Sequence, residues 1–576
     1  MPNPEDNKTR KLEEFIWIST LENALKFDGR ANQGAIVGKL FVFDPSLKER
    51  MKEVAPMIGK IVSSVNSLSV DQQEKELLKL VPDFFDKQKS KKEQRKKEAR
   101  ELPPLKDAEE GNVKTRMPPG PSKYPHIGHA VSFGINYLYA KEYNGKCILR
   151  FDDTNPEVEK QEFVDAIIED ITEYMGMKPD EIVFASDSMP EFYSYVDRLI
   201  EEHHVYACSC PSEKIANARR NMKDCPHRKQ TRNETKEIWE QMRLGKKKDY
   251  ALRLRIDMEH KNAVMRDPVI FRVIDKPHYR QKKKYKVWPT YDFESPVVDG
   301  MNGITHVLRS NEFDSRIELH HYIAKLLGFS EIPYKHYGRI NITGTLTQGR
   351  EIRKKIDDKE FIGWDDPRLV TLKALKRRGI VREAIVNVVK MSGLSKQNTN
   401  IDFSVVAAEN RKILDNSAKR FFFIKKPKKI IVEGAPELEH ELNLHPEHSR
   451  NGRPMKTHNE FYIEEDDFKA IKDGEVCRLM DCLNYVKKGK NIEYHSTPHS
   501  EFKGKGKHII HWLPIHKDMK LIEVEVMMPN SKVIMGLAEP TIKILEEGDV
   551  IQFERFGFCR LDSKKKGKYH FWYTHD

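Results

Sequence analysis

Apolar residues recur at three- and four-residue intervals through residues 15–25, 51–65 and 77–85. This is the spacing of helices with one buried face. Residues 1–106 are therefore expected to form a helical domain. Within it, residues 87–100 (KQKSKKEQRKKEAR) have almost no apolar position. They read first as a solvated helix or linker and second as a phosphate-contacting arm. Pro103-Pro104 closes the segment. From Gly111 the texture changes. A short β-like start in VKTRM leads through a Pro/Gly loop to a helix beginning near His126. KCILRFDDTNP (146–156) reads as a buried strand, and residues 159–177 as an amphipathic helix. Strand and helix alternating at this spacing predict a parallel sheet with crossover helices. Further β-like pieces lie at 250–257, 285–293 and 303–310. Residues 363–393 read as helical, with a capping-type start at Asp365-Asp366-Pro367. After Phe421, short strands bounded by Gly, Pro and charged turns predict one or two antiparallel barrels. No internal repeat has a fixed period.

At 576 residues the chain is too long for one core, and several domains are expected. Charged residues make up 33% and hydrophobic ones 38%. No apolar run approaches the roughly 20 residues of a membrane span. The opening MPNPEDNKTRKLEEF lacks the apolar stretch of a secretion signal. The 101 Lys and Arg against 89 Asp and Glu give a net charge of +12, which weakly favours an anionic partner such as nucleic acid. Three of the seven cysteines fall between 208 and 225. This suits a reducing, cytosolic setting with one metal site better than a disulfide scaffold.

The most informative segment is 119–129, PGPSKYPHIGH. Its Pro/Gly loop delivers His126 and His129 to a helix start, where free N–H groups and a partial positive charge suit a polyphosphate. Two imidazoles three residues apart share a helix face. Gly128 between them has no side chain and would let an adenine ring approach the backbone. The bland alternative is an ordinary helix start with incidental histidines.

With its HxGH sequence in this place, the chain resembles the class I aminoacyl-tRNA synthetases. RMPPGPSKYPHIGHA with RFDDTNPEVEKQEF, MRDPVIFR (265–272), WPTYDF (288–293), GITHVLRSNEF (303–313) and GWDDPRL (363–369) narrow the resemblance to their glutamyl/glutaminyl group, archaeal type. The matches run in family order from about residue 110 to 420. The resemblance implies an α/β fold with a Rossmann-like catalytic domain at 107–340, carrying an acceptor-binding insertion at about 189–287. A signature loop and helical connective domain would follow at 341–420, and a β-barrel anticodon-binding domain at 421–576. It also implies ATP with Mg²⁺ as substrate, an aminoacyl-adenylate intermediate, and attack on it by the terminal ribose hydroxyl of tRNA. His126 and His129 would contact the ATP phosphates, with Pro119 and Gly128 completing the ATP site.

The resemblance further implies that Arg116 binds substrate carboxylate, Asp152 accepts from the α-ammonium group and Tyr291 lines the pocket. Arg309 separates the two subgroups. A guanidinium fits a γ-carboxylate, whereas beside a neutral amide it would be left buried and unpaired. The expected substrate is therefore glutamate, with tRNA(Glu) as first acceptor and tRNA(Gln) as a second reading, in a cytoplasmic monomer. The family's second signature is degenerate here. In residues 344–352 (GTLTQGREI) Arg350 is the one cation in a phosphate-facing place, while Lys390-Met391-Ser392 reads as a decoy on a helix. Cys208 and Cys210, followed after fourteen residues by Cys225 and His227, would suit structural zinc. The basic run 275–286 reads as a solvated hairpin or, given the family, an acceptor-end contact. Phe553, Arg555, Phe556 and Arg560 are candidates for unstacked anticodon bases. Three competing readings remain: a glutaminyl enzyme, a tRNA-binding module without catalysis, and a small-molecule nucleotidyltransferase sharing HxGH.

Overall fold

Among the described residues of the N-terminal unit, Met1–Glu101, lie the helices α1 (Pro4–Lys26), α2 (Gln33–Phe43), α3 (Met51–Asn66) and α4 (Val70–Leu80). The computed structural model describes residues 4–27, 29–44, 47, 50–85, 102–447, 449–565 and 567–576. The basic stretch 87–100, read as linker or phosphate arm, lies outside them. The apolar stripes of the four helices close on Ile16, Leu21, Ile36, Leu40, Ile58, Val65 and Leu77. Gln73 is fully buried, and its amide donates to the carbonyls of Gly29, Val65 and Leu68 at 2.9, 2.9 and 3.2 Å. These are loop and helix-end acceptors that would otherwise be orphaned. Helix α2 escapes a periodicity search because AIVGKLFVF is apolar nearly all round. No helix among the described residues is long and apolar enough to cross a membrane.

The second unit, Leu102–Asp576, opens with β1 (Lys114–Met117), α5 (Ile127–Glu142), β2 (Lys146–Phe151), α6 (Gln161–Glu169) and β3 (Glu181–Phe184). The three strands are parallel, with Lys114 opposite Lys146 and Ile148 opposite Glu181. An antiparallel meander interrupts the sheet: β4 (Val205–Cys208), β5 (Ala251–Leu254), β6 (Val269–Val273) and β7 (Val287–Pro289). Trp239, Phe271, Trp288 and Phe293 pack its core. The parallel sheet resumes as β8 (Val307–Ser310) and β9 (Tyr334–Tyr337). Thr305 N–H donates to Lys114 O at 3.0 Å, and Thr305 Oγ1 accepts from Lys114 N at 2.8 Å. This seats β8 beside β1 and gives the doubly wound order β3-β2-β1-β8-β9.

Two local expectations are corrected. Residues 285–293 are not one strand: β7 stops at Pro289, and a helix runs from Tyr291 to Met301. Pro289 marks the end of the ladder, and Asp292 and Glu294 suit a helix's first turn. Residues 363–393 do not begin a helix at Asp365. Helices cover Leu372–Arg377 and Arg382–Ser392, the first capped by the Thr371 hydroxyl. Asp366 instead accepts from the N–H groups of Ile362 (3.0 Å) and Arg368 (3.1 Å) and from the Arg368 guanidinium, pinning the turn before the helix.

The β-rich tail forms two rings of strands. In the first, the order is 420–421, 550–553, 557–565, 568–575, 522–527, 533–538, 423–425. Its two end strands are separated in sequence only by Phe422, so the sheet closes on itself. In the second, the order runs from 508–510 through 476–479, 484–488, 491–496, 427–433 and 460–464 to 513–514, and His511-Trp512 closes it. Among the described residues the rings are thus two, within the one or two expected. They are not wholly antiparallel: 522–527 pairs with 568–575 in parallel, as does 427–433 with 491–496. The two closures touch, with His511 Nε2 2.9 Å from Phe423 O and Phe422 packed on Trp512. Arg377 grips Asp562 through two bonds of 2.8 and 2.7 Å and stacks on Trp572, which fastens the helical connector to the first barrel.

Candidate active site

A cleft of about 390 Å³ opens at the carboxyl ends of β1 and β8, where the strand order reverses. In doubly wound sheets this is where ligands bind. Arg116, Pro119, His126, Gly128, His129, Tyr291 and Arg309 all line it. Seven of the residues named from sequence therefore converge, although they come from three separate segments.

His126 caps α5. Its Nδ1 accepts from Gly128 N–H at 3.1 Å, and the Nδ1 of His129 accepts from His126 N–H at 3.2 Å. The two rings lie 4.0 Å apart. Both Nδ1 atoms are thereby committed as acceptors, so each neutral imidazole carries its proton on Nε2. Burial, reinforced by Lys123 and Arg339, lowers His126 to about 3. Burial, with His126 and Lys123, also holds His129 well below the ordinary range. The pair thus presents hydrogen-bond donors rather than charges. A Cβ at Gly128 would lie 2.9 Å from the His126 ring and 3.4 Å from Ile340 O, so the cap itself requires glycine there.

Of the expected cations, Arg116 and Arg309 line the cleft but Arg350 does not. Arg350 is exposed on the first turn of the helix Gly349–Asp357 and is not among the lining residues. Lys123 and Arg339 line the cleft instead. The second signature segment docks by other contacts: a Cβ at Gly349 would lie 3.2 Å from Lys123, and Arg353 donates to Ser122 O at 2.8 Å. Lys390 and Met391 end a helix, as the decoy reading required.

Asp152 also stands back from the cleft wall. Its carboxylate accepts from Arg150 at 2.6 and 3.2 Å. Arg150 also donates to Asp299 at 2.5 Å, and Asp299 accepts from Arg116 Nε at 2.8 Å. Burial alone would raise Asp299, but Arg116 and Arg150 hold it at about 2. Arg116 Nη1 is buried with no hydrogen-bond partner, a donor available to a ligand in the cleft.

Arg309 is 5% exposed. Its Nε donates to His336 Nε2 at 2.9 Å, its Nη1 to Tyr291 Oη at 3.2 Å and to His320 Nδ1 at 3.3 Å, and its Nη2 to Phe313 O at 3.4 Å. The guanidinium also faces the ring of Tyr334 at 4.6 Å. Among the described residues no carboxylate pairs with it. Sequence reading missed His320 and His336, along with Arg150, Asp299, Lys123 and Arg339. Only Lys123, inside the 119–129 motif, and Arg150, which opens RFDDTNP, carried a local signal.

Away from the cleft, Cys208, Cys210, Cys225 and His227 bring one ligand atom each within 4.8 Å of one another. Sulfur–sulfur separations of 3.5 and 3.7 Å and sulfur–Nδ1 separations of 3.4 and 3.6 Å match the edges of a tetrahedron, about 3.5–3.8 Å for zinc–ligand bonds of about 2.0–2.3 Å. Ser209 Oγ lies 3.3 Å from His227 Nε2, placed to orient the ring. The basic run 275–286 is less free than a solvated hairpin. His278 is buried, Tyr279 Oη donates to Asp153 at 2.6 Å, and Arg280 grips Asp187 at 2.8 and 2.6 Å, leaving Lys282, Lys283 and Lys284 exposed. Two of the base-stacking candidates are also corrected. Phe553 is fully buried in the first barrel, and Arg555 is held by Asp467 at 2.7 and 2.8 Å. Phe556 packs edge-on against Phe423 and Tyr573, and Arg560 is half-buried beside Asp562.

A sequence profile of class I tRNA synthetases (E and Q), catalytic domain, matches residues 112–416. Profiles of the anti-codon binding domain of the same class match 418–500 and 509–562. The chain is 38% identical to a glutamate–tRNA ligase of Pyrococcus furiosus, over 98% of this chain and all of that one. It is also 38% identical to that of Pyrococcus abyssi, over 96% and 97%. It is 37% identical to that of Methanocaldococcus jannaschii, over 98% and 100%. Profile, identity and the geometry of the cleft agree, and the chain belongs to the class I tRNA synthetases of the glutamyl and glutaminyl (E and Q) group.

Proposed function

We propose that this chain activates glutamate with ATP and transfers it to tRNA(Glu). The observation that carries the choice of amino acid is the buried Arg309 guanidinium, bonded among the described residues to two imidazoles, a phenol and a carbonyl but to no acid. A glutamate γ-carboxylate would neutralise it through paired hydrogen bonds, whereas a glutamine amide would leave a buried charge uncompensated. Arg116, with its unpartnered Nη1, would hold the α-carboxylate end. The α-ammonium group would lie toward Asp152, and Tyr291 would sit between the two ends.

In the first step a glutamate carboxylate oxygen attacks the α-phosphorus and pyrophosphate leaves. His126 and His129 would donate from Nε2 to phosphate oxygens that gain charge, helped by Lys123 and Arg339. This is catalysis by preorganised donors with no covalent enzyme intermediate. Arg350 would reach the phosphates only if its helix turned toward the cleft. Mg²⁺ would accompany the ATP. In the second step the terminal ribose hydroxyl of tRNA attacks the carbonyl carbon and AMP leaves. The meander at 189–287, with Lys282–Lys284 exposed, would face the acceptor end, and the barrels at 421–576 the anticodon. Zinc on the Cys3His cluster would be structural, since the protein supplies all four ligands. The further readings are a cytoplasmic monomer, domain limits at 106, 340 and 420, and a second acceptor in tRNA(Gln). An aminoacylation assay with glutamate and glutamine on both tRNAs tests the function. Charging with glutamine but not glutamate overturns it.

A further inference from the structure

The two histidines on Arg309 are unusual company for a buried cation. An arginine is normally buried with acids, which neutralise it. Here each imidazole offers a lone pair instead. For His336 the choice of nitrogen is fixed from behind: Nδ1 bonds the Asp314 carboxylate, and Nε2 accepts from Arg309 Nε at 2.9 Å. For His320 a carboxylate also stands behind, Asp292 at 3.6 Å from Nε2, while Nδ1 faces Arg309 at 3.3 Å. Asp292 is itself paired with Arg316 at 2.7 Å. His320 and His336 are nearly fully buried, whereas the Asp314 side chain is 47% exposed.

We infer that Asp314 and His336 form a positioning relay for glutamate. Asp314 keeps the proton of His336 on Nδ1, so that Nε2 can accept from Arg309 and hold the guanidinium facing the cleft without neutralising it. A direct carboxylate on Arg309 would compete with the substrate's own. An imidazole turned by a remote carboxylate aims the cation and leaves its charge for the ligand. Burial keeps His336 neutral against the pull of Asp314, and a neutral ring has one lone pair, so its tautomer decides everything. If the proton moved to Nε2, two N–H groups would meet and Arg309 would lose its anchor.

This inference rests on Arg309 as the γ-carboxylate holder, and the test separates the two. Asp314→Asn is a half-exposed change that leaves the core intact. Its amide can donate to Nδ1 and so favour the wrong tautomer. In ATP–pyrophosphate exchange, KM for glutamate should rise about tenfold or more, with KM for ATP and kcat near wild type. Asp314→Glu, which restores a carboxylate, should recover most of the loss. Matched melting temperatures confirm the fold. A wild-type KM for glutamate in Asp314→Asn, with Arg309→Cys still defective, overturns the relay alone. A wild-type KM in Arg309→Cys overturns the relay and the reading beneath it.

Discussion

His126 and His129 cap the same helix turn reciprocally: the side chain of the second accepts from the backbone N–H of the first, at 3.2 Å, while the first accepts from Gly128. One set of bonds thus starts α5, fixes both tautomers and aims both Nε2–H groups outward. The three-residue spacing of the motif is a consequence of capping geometry as much as of ligand contact, because the N-cap and the third helical residue are the positions that exchange these bonds.

His126→Ala should therefore fail twice. Removing a donor aimed at developing phosphate charge should lower kcat for pyrophosphate exchange by about 10²–10³-fold. Losing the cap should cost about 1 kcal/mol of stability. Because both rings are neutral across the physiological range, the wild-type rate should show no step near pH 6.5 assignable to them. A clear inflection there that vanishes in His129→Asn would contradict the neutral-donor role.

Purified protein should contain close to one zinc per chain. Metal analysis after dialysis against a chelator should show its loss, with a fall in melting temperature, while Cys477 and Cys559, buried far along the chain, remain unaffected. Cys210→Ser should lower zinc content without shifting KM for glutamate, since the cluster lies on the meander and not on the cleft.

Much of this was legible because the decisive signals are local. His126, Gly128 and His129 sit within four residues, and Cys208, Cys210, Cys225 and His227 come as two close pairs. What stayed hidden depends on tertiary placement. Arg150 and Asp299 are 149 positions apart, and nothing near either predicts that they meet at 2.5 Å. Arg350 lies in the segment where the family places its loop, yet its place on the helix turns it to solvent, and Arg339, from a segment with no motif, takes a place on the cleft wall. Phe553 and Arg555 have the composition of base readers, but alternation along a barrel strand buries the first, and Asp467, 88 residues away, claims the second. The helix at 291–301 was missed because aromatic, β-branched WPTYDF favours strand by propensity, and Pro289 ends the ladder within it.

A buried acidic pair sets a pH dependence of stability. Burial raises Glu159 to about 8 and Asp153 to about 7, against partial relief from the hydrogen bonds of Asn155 for the first and of Tyr279 and Ser186 for the second. In the unfolded chain both ionise near about 4. Between about 4 and 8 the folded chain therefore holds protons that the unfolded chain has released. Their contribution is full below about 4 and is lost as pH rises through the folded values, at up to about 1.4 kcal/mol per unit per group. Glu159→Gln, which keeps an acceptor for Asn155 N–H, should flatten the fall in urea midpoint between pH 5.5 and 8.5. Parallel curves for wild type and variant would show that Glu159 is already ionised in the native state.

Arg309→Cys tests the pocket most directly. The guanidinium bonds only neutral groups, so its loss strands no buried acid, and the fold should survive with a melting temperature near wild type. Glutamate, however, would lose the one cation facing its γ-carboxylate, and burying that carboxylate unpaired costs about 3–5 kcal/mol. Pyrophosphate exchange with glutamate should fall about 10²–10⁴-fold in kcat/KM. Glutamine, whose amide needs no counter-charge, should be far less affected, so the ratio of the two substrates should move toward glutamine. The sign of that ratio is the useful quantity, because a general defect in ATP binding or folding would lower both activities together and leave it unchanged.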